Sequence, residues 1–358
     1  MQFLTGFPGF LGSALVGRLL DRSDEGVTCL VQSTYRDTAE RRAREITAEV
    51  GVPRARLSLV EGDITDPSLG VADYDRLADT TEAVYHLAAV YDLGVDADLA
   101  DRVNVDGTNH VLDFAEAAEV RRFHYVSTCY VSGRYDGTFT HADLDVGQSF
   151  HNHYERTKFA AEVEVQRRMD AGLPATVYRP AIAVGDSRTG ETQKYDGPYY
   201  LLSLLRRQPR VAFAPAPIRP NARRLNVVPR EFVVDALAEL SRREDTVGEV
   251  YQLCNPHPPT IGRLVRALGR AADRVAVPVP GTVGLSKAVL DAAPWLANRF
   301  GVDPAALPYL AHPTTYTDEN TRRALAGTGI RCPLFESYVD RLVAYVRDHP
   351  ELDDAAMV

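Results

Sequence analysis

Tyr154 and Lys158 stand four residues apart in Tyr154-Glu155-Arg156-Thr157-Lys158, a spacing that on a helix places a phenol and an ammonium on one face. A free phenol titrates near pH 10 and moves protons poorly at neutrality, whereas a lysine cation beside it favours the phenolate and draws that value down. As a bare spacing the pair equally describes a surface tyrosine packed under a lysine stem. A second constellation gives it a purpose. Thr5-Gly6-Phe7-Pro8-Gly9-Phe10-Leu11-Gly12 follows an apolar run from Met1 to Leu4 and opens a stretch, Phe10 to Leu20, with apolar residues at helical spacing. Gly6, Gly9 and Gly12 would permit a tight turn, backbone approach to a pyrophosphate and close packing of helix on strand. The helix start would offer free N–H groups and positive dipole to the anion. The spacing is G-x-x-G-x-x-G, not the usual G-x-G-x-x-G.

These residues need a frame. Val27 to Val31, Leu57 to Val60, Ala83 to Leu87, Phe123 to Ser127, Ala175 to Arg179 and Val250 to Leu253 read as strands. Helical patterns at Asp37 to Val50, Ala97 to Ala118, Tyr154 to Ala171, Glu231 to Arg242, Ile261 to Ala272 and Phe335 to Arg347 separate or follow them. Such alternation predicts an α/β class: a doubly wound parallel sheet, the Rossmann fold, with ligands at the carboxyl ends of its strands. Residues 1–184 are expected to be mainly the dinucleotide-binding domain and 185–358 mainly a smaller mixed substrate-binding lobe, with elements within 225–255 returning to the first. Gly185 to Pro229, rich in Gly, Pro, Arg and Tyr, reads as irregular. Tyr195, Tyr199 and Tyr200 are candidates to line a substrate pocket there. The apolar stretch Val289 to Phe300, with Trp295, reads as a core or lid helix or a hydrophobic surface, and the last few residues as a frayed tail.

With 45% hydrophobic residues over 358 positions the chain can build a sizeable core. A formal net charge of -9 argues against nucleic acid as a partner. Cys29, Cys129, Cys254 and Cys332 lack paired spacing, which speaks against a zinc site or disulfide framework and for reduced thiols in a cytoplasmic protein. His151 and His153 would need a third ligand to hold a metal, so no metal is expected. No leader-like segment and no apolar run long enough to span a membrane stands out.

Taken together, the chain resembles the extended branch of the short-chain dehydrogenase/reductase superfamily. The resemblance is carried in order by Thr5-Gly6-x-x-Gly9-x-x-Gly12, Gly62-Asp63-Ile64, His86-Leu87-Ala88-Ala89, Asn104-Val105-Asp106-Gly107-Thr108, Val126-Ser127-Thr128, Tyr154-x-x-x-Lys158 and Arg179-Pro180. It implies that Tyr154 is a general acid or base, that Lys158 lowers its pKa and holds the nicotinamide ribose, and that Thr128 polarises the substrate oxygen. Ser127 would lie beside the nicotinamide, and Asn104 would support a water relay or touch the cofactor. Cofactor contacts would further include Phe10 and Leu11 at the helix start, Asp63 and Ile64 at the adenine, Leu87, Ala88 and Ala89 along sugar and phosphate, and Pro180 and Ile182 after the sixth strand.

At the end of the second strand, where an acid favours NAD, the chain has Gln32-Ser33-Thr34-Tyr35-Arg36, with Arg41 and Arg42 close behind. This leans towards NADP, with NAD still open. Tyr125 to Gly133, Arg224 to Pro229 and Phe232 to Asp235 are similar to segments of the thioester-reductase and fatty acyl-CoA reductase subgroup. The implied reaction is NADPH-dependent reduction of a carbonyl or acyl thioester, on a small and hydrophobic substrate. The chain departs from that pattern in Gln32, where many members carry arginine, and in lacking a carrier or adenylation segment, so an acyl donor is expected to come to it. A nucleotide-sugar epimerase and a steroid- or flavonol-type alcohol dehydrogenase share the Thr-Tyr-Lys set. A cofactor-sensing protein would be expected to have lost it. Homodimerisation through the two long helices is a family expectation.

Overall fold

In the computed structural model, which describes residues 1–352, the short apolar runs become parallel strands and the segments between them become helices. The expected frayed tail lies partly outside the described residues. β1 (Gln2–Thr5) passes through the glycine turn into α1 (Phe10–Arg22), followed by β2 (Val27–Val31), α2 (Arg36–Val50), β3 (Leu57–Glu61), α3 (Tyr74–Thr80) and β4 (Ala83–His86). Along α1 the apolar stripe Leu15, Val16, Leu19 and Leu20 is buried against the sheet, each side chain contributing roughly 1.5–3 kcal/mol.

The single helix expected from Ala97 to Ala118 is divided into α4 (Ala97–Ala100), a π-helical turn (Asp101–Asp106) and α5 (Gly107–Ala117). Such a widened turn re-aims a side chain. Here it coincides with Asn104, whose amide bonds both backbone polar groups of Val90. Gly107 follows because a Cβ there would lie 2.8 Å from Ile64 Cδ1.

The chain continues with β5 (Arg122–Val126), β6 (Thr138–Phe139), α6 (His153–Asp170), β7 (Ala175–Pro180) and β8 (Ile182–Val184). The segment read as irregular is mostly so, but three regular elements interrupt it. It holds α7 (Pro198–Arg206), β9 (Val211–Ala216) and β10 (Val227–Pro229). Its prolines punctuate these elements: Pro198 opens a helix, where its missing N–H costs nothing, and Pro215 sits in a two-stranded sheet with a free edge. Then come α8 (Arg230–Leu240), β11 (Val250–Leu253), α9 (Ile261–Ala271), β12 (Val275–Pro280), α10 (Val283–Ala292), α11 (Pro294–Phe300), β13 (Thr315–Tyr316), α12 (Glu319–Ala324) and α13 (Val339–Asp348). Pro294 splits the apolar stretch 289–300 in two, and Trp295 is exposed.

Seven parallel strands form the central sheet in the order β3-β2-β1-β4-β5-β7-β11, the doubly wound arrangement read from the alternation. The order reverses between β1 and β4, where Thr5 pairs with His86, and a crevice opens at that switch point. Three parallel strand pairs, β8–β10, β9–β12 and β6–β13, lie outside it. One buried cluster built on α7, β9, α9 and α13 forms a second core beyond the sheet. No helix among the described residues is long and apolar enough to cross a membrane.

Candidate active site at the sheet switch point

The glycine turn is held by contacts that exclude side chains. Gly6 has φ +91°, and a Cβ on it would lie 2.8 Å from Ala88 N, while one on Gly12 would lie 2.3 Å from Gly6 O. Thr5 Oγ1 accepts from the backbone N–H groups of Leu87 and Ala88, both at 3.2 Å, and contacts His86 Nδ1 at 2.7 Å, so the β1 and β4 loops are stitched together. Gly9 precedes α1 and contributes no side-chain cap, which leaves the N–H groups of Phe10, Leu11 and Gly12 facing the crevice. A cradle shaped by absent Cβ atoms beneath an uncapped helix start fits a pyrophosphate.

The other expected contacts diverge. Gln32 Nε2 donates to Asp63 Oδ2 at 2.7 Å, and Asp63 Oδ1 holds the Thr65 backbone and hydroxyl, so the two polar residues at the strand ends satisfy each other. Arg36 is engaged by Glu40 at 3.0 Å, one helical turn away. Ile64 is buried in the core beneath Gly107. Ala89 stays partly exposed on the loop after β4, close behind Ala88. Ser127 donates its hydroxyl to Glu162 Oε2, and Arg179 grips the other oxygen of that carboxylate at 2.6 Å. All three are buried and brace β5, β7 and α6. Pro180 O lies 3.5 Å from Thr128 Oγ1, while Ile182 lines the adjoining cavity.

Tyr154 sits in the first turn of α6, which Asn152 caps by accepting from Glu155 N. The helix delivers phenol and ammonium to one face, as the spacing requires. Burial pushes the Tyr154 phenol above its ordinary value; the Thr128 hydroxyl bonded to it opposes the rise, and the charges of Glu155 and Asp196 add to it. This differs from the depressed value expected from Lys158. The ammonium is buried, donates to Val126 O at 2.9 Å and lies 4.4 Å over the Tyr125 ring, and burial lowers its pKa to about 7 despite nearby Glu162. The phenol is therefore a proton donor throughout the neutral range. Asn104 Nδ2 donates to Thr157 Oγ1 at 3.0 Å, so its amide ties the β4 loop to α6 between Tyr154 and Lys158.

In front of Tyr154 lies a cavity walled by Tyr91, Leu93, Tyr130, Ile182, Leu201, Leu225, Tyr309 and Leu310, with no charged side chain among its lining residues. Tyr91 meets the Tyr154 ring edge-on at 4.9 Å. Tyr309, from the 3-10 helix Pro304–Ala311 before β13, donates to the buried Glu155 carboxylate at 2.6 Å and accepts from Asn152 at 2.9 Å. The other side of that carboxylate accepts from His151 Nδ1 at 3.0 Å. Of the tyrosines proposed from the sequence for this wall, Tyr199 and Tyr200 pack behind it in the second core without lining the cavity, and Tyr195 donates to His349 O. The aromatic wall comes from Tyr91, Tyr130 and Tyr309, whose positions carry no local signal. Tyr130 alone could have been suspected, being two residues beyond Thr128.

Residues 4–237 match the family model described as Male sterility protein, an NAD-binding family. The isonitrile lipopeptide synthase of Streptomyces coeruleorubidus is 28% identical over 372 residues, covering 97% of this chain and 24% of that protein. The carboxylic acid reductase of Mycobacterium tuberculosis is 26% identical over 337 residues, covering 85% of this chain and 28% of that protein. The chain thus spans a small part of either relative's length. The crystal structure of the terminal R domain from the myxalamid PKS-NRPS biosynthetic pathway superposes with a TM-score of 0.83 at 26% identity, over 99% of this chain and 92% of that one. The chain belongs to the NAD-binding Male sterility protein family, within the extended short-chain dehydrogenase/reductases.

Proposed function

We propose that this protein is an NADPH-dependent reductase of a hydrophobic acyl thioester or aldehyde. The observation that carries the reading is the apolar, aromatic-walled cavity in front of a protonated Tyr154. A diphosphate-bearing sugar would need cations that this lining lacks, whereas an acyl chain needs only apolar contact. A relative from Aspergillus flavus that is named an aldehyde reductase agrees with an aldehyde substrate.

A bound reduced nicotinamide supplies the hydride to the carbonyl carbon. Thr128 donates a hydrogen bond to the substrate oxygen and Tyr154 passes its proton to it, so the oxygen stays on carbon as a hydroxyl and no free alkoxide forms. With a thioester the same step yields a hemithioacetal, which loses its thiol to give the aldehyde. Lys158, uncharged for part of the neutral range, holds Val126 O and faces the ribose position. Asn104 keeps the first turn of α6 fixed, as a positioning residue. Residues 1–184 serve mainly as the dinucleotide domain, and the second core supplies the substrate wall.

The test is to incubate the protein with NADPH and acyl-CoAs, aldehydes, ketones and UDP-sugars in parallel and follow absorbance at the nicotinamide band. Loss of NADPH with apolar thioesters or aldehydes is expected. Turnover confined to UDP-sugars without net cofactor loss would overturn the reading.

A further inference from the structure

The cavity in front of Tyr154 is smaller than the substrate assigned to it. Its free volume is about 40 Å³, room for roughly three water molecules, whereas about 150 Å³ of apolar cavity is what takes up a benzene ring. Part of the wall must therefore move before a long chain can reach the phenol. Most of that wall is fixed. Tyr309 is bonded to Glu155 and Asn152, the Tyr130 ring packs edge-on against Tyr309 and Tyr316, and Leu201, Leu225 and Leu310 are buried in the second core. Tyr91, Leu93 and Gly197 belong instead to two irregular segments, the loop after β4 and the strap 185–197 between β8 and α7.

Lys194 joins these two segments. Its Nζ donates to Tyr91 O at 3.1 Å, lies 4.7 Å over the Tyr91 ring and pairs with Asp196 at 3.4 Å. Tyr91 meets the Tyr154 ring edge-on, so one ammonium holds a ring against the reacting phenol. Gly190 and Gly197 stand at positive φ, +80° and +54°, and between them no residue joins a helix or a sheet ladder. Such a stretch opens at low cost. We infer that Lys194 is a specificity-determining residue: it latches the strap onto Tyr91 in a closed form, and a long acyl chain binds only when the latch lets go. The selectivity rests on the acyl reading above; the latch does not. A substrate that needs the open form has its apparent affinity reduced by the fraction of protein that is open, while one small enough for the closed cavity does not. A lysine suits the task, since a point charge on a flexible stem can exchange Tyr91 O for water.

Amide hydrogen exchange read by mass spectrometry tests the latch without turnover. In Lys194→Met, which keeps the apolar stem and loses the charge, the strap and residues 88–96 are expected to exchange roughly tenfold faster together, and Lys194→Arg to restore both. Faster exchange in the strap alone would overturn the inference, because Tyr91 would then be held by something else; unchanged exchange in both would overturn it too. Steady-state kinetics with NADPH and straight-chain aldehydes from acetaldehyde to dodecanal tests the selectivity. Lys194→Met should lower KM for the longest members roughly three- to tenfold and leave KM for acetaldehyde and the affinity for NADPH unchanged. An equal change at every chain length is what a merely structural loss gives, and it would sink the assignment. A protein whose two segments loosen together as expected, yet which reduces none of these aldehydes or the matching acyl-CoAs, would refute the substrate reading alone.

Discussion

The two sides of Tyr154 are built on opposite plans. On the cofactor side the frame is a backbone turn set by the spacing of Gly6, Gly9 and Gly12, and a single side chain, Thr5, ties it to the loop after β4 through two N–H bonds. On the substrate side, the wall is made of side chains from distant segments, with Tyr91, Tyr130, Leu201 and Tyr309 meeting around one cavity. A backbone cradle tolerates almost no change at a few positions and is indifferent elsewhere. A side-chain wall tolerates change at each position but sets the shape of what enters. One chain can thus keep its hydride chemistry while its substrate drifts.

The sharpest way to break that comparison is to change one atom at its centre. Tyr154→Phe is expected to lower turnover by roughly 10²–10⁴-fold and to leave NADPH affinity nearly unchanged, read by NADPH consumption beside fluorescence titration; full activity would dismiss the phenol as proton donor. Next is the brace that both sides share. Glu162→Ala strips the buried Arg179 of its partner and releases Ser127, and about 3–5 kcal/mol of stability should go with it, measured by urea unfolding.

A smaller effect separates the two plans directly. Tyr309→Phe keeps the ring in the wall but leaves Glu155 and Asn152 short of a partner, at a cost of about 1–3 kcal/mol. KM for acyl substrates should rise while the affinity for NADPH stays within twofold; a matching loss of NADPH would show that the sides are not independent. A further test concerns pH. Lys158 titrates near 7 in the fold and near 10.4 when unfolded, so between those values the unfolded chain binds more protons and stability rises with pH across that window. Lys158→Met should therefore stabilise the apoprotein more at pH 6 than at pH 10, by thermal melting at both.

The same contrast explains what could be read in advance. The glycine turn, the strand–helix alternation and the Tyr154–Lys158 face are local patterns with fixed spacing, so composition and periodicity expose them. The Ala97–Ala118 helix was legible but its π-helical turn was not, because the turn answers to Val90, a tertiary partner. Between Gly185 and Pro229 the prolines look like breakers, although they start a helix and edge a small sheet. Tyr309 meets Glu155 across 154 positions of sequence. The Tyr154 phenol reverses the expected direction because burial raises it beyond what the Thr128 hydrogen bond opposes, while the Lys158 ammonium donates to Val126 O.

The bond between Tyr309 and Glu155 also sets an order of assembly. As the chain leaves the ribosome, the last strand of the central sheet is complete at Leu253, some fifty residues before the segment Pro304–Ala311 that brings Tyr309. A nascent chain can pair β1 with β4 while the cavity in front of Tyr154 still has an open side. Synthesis that stops short of Pro304 would leave that cavity without Tyr309 and Leu310, so its last wall arrives well after the sheet that carries Tyr154.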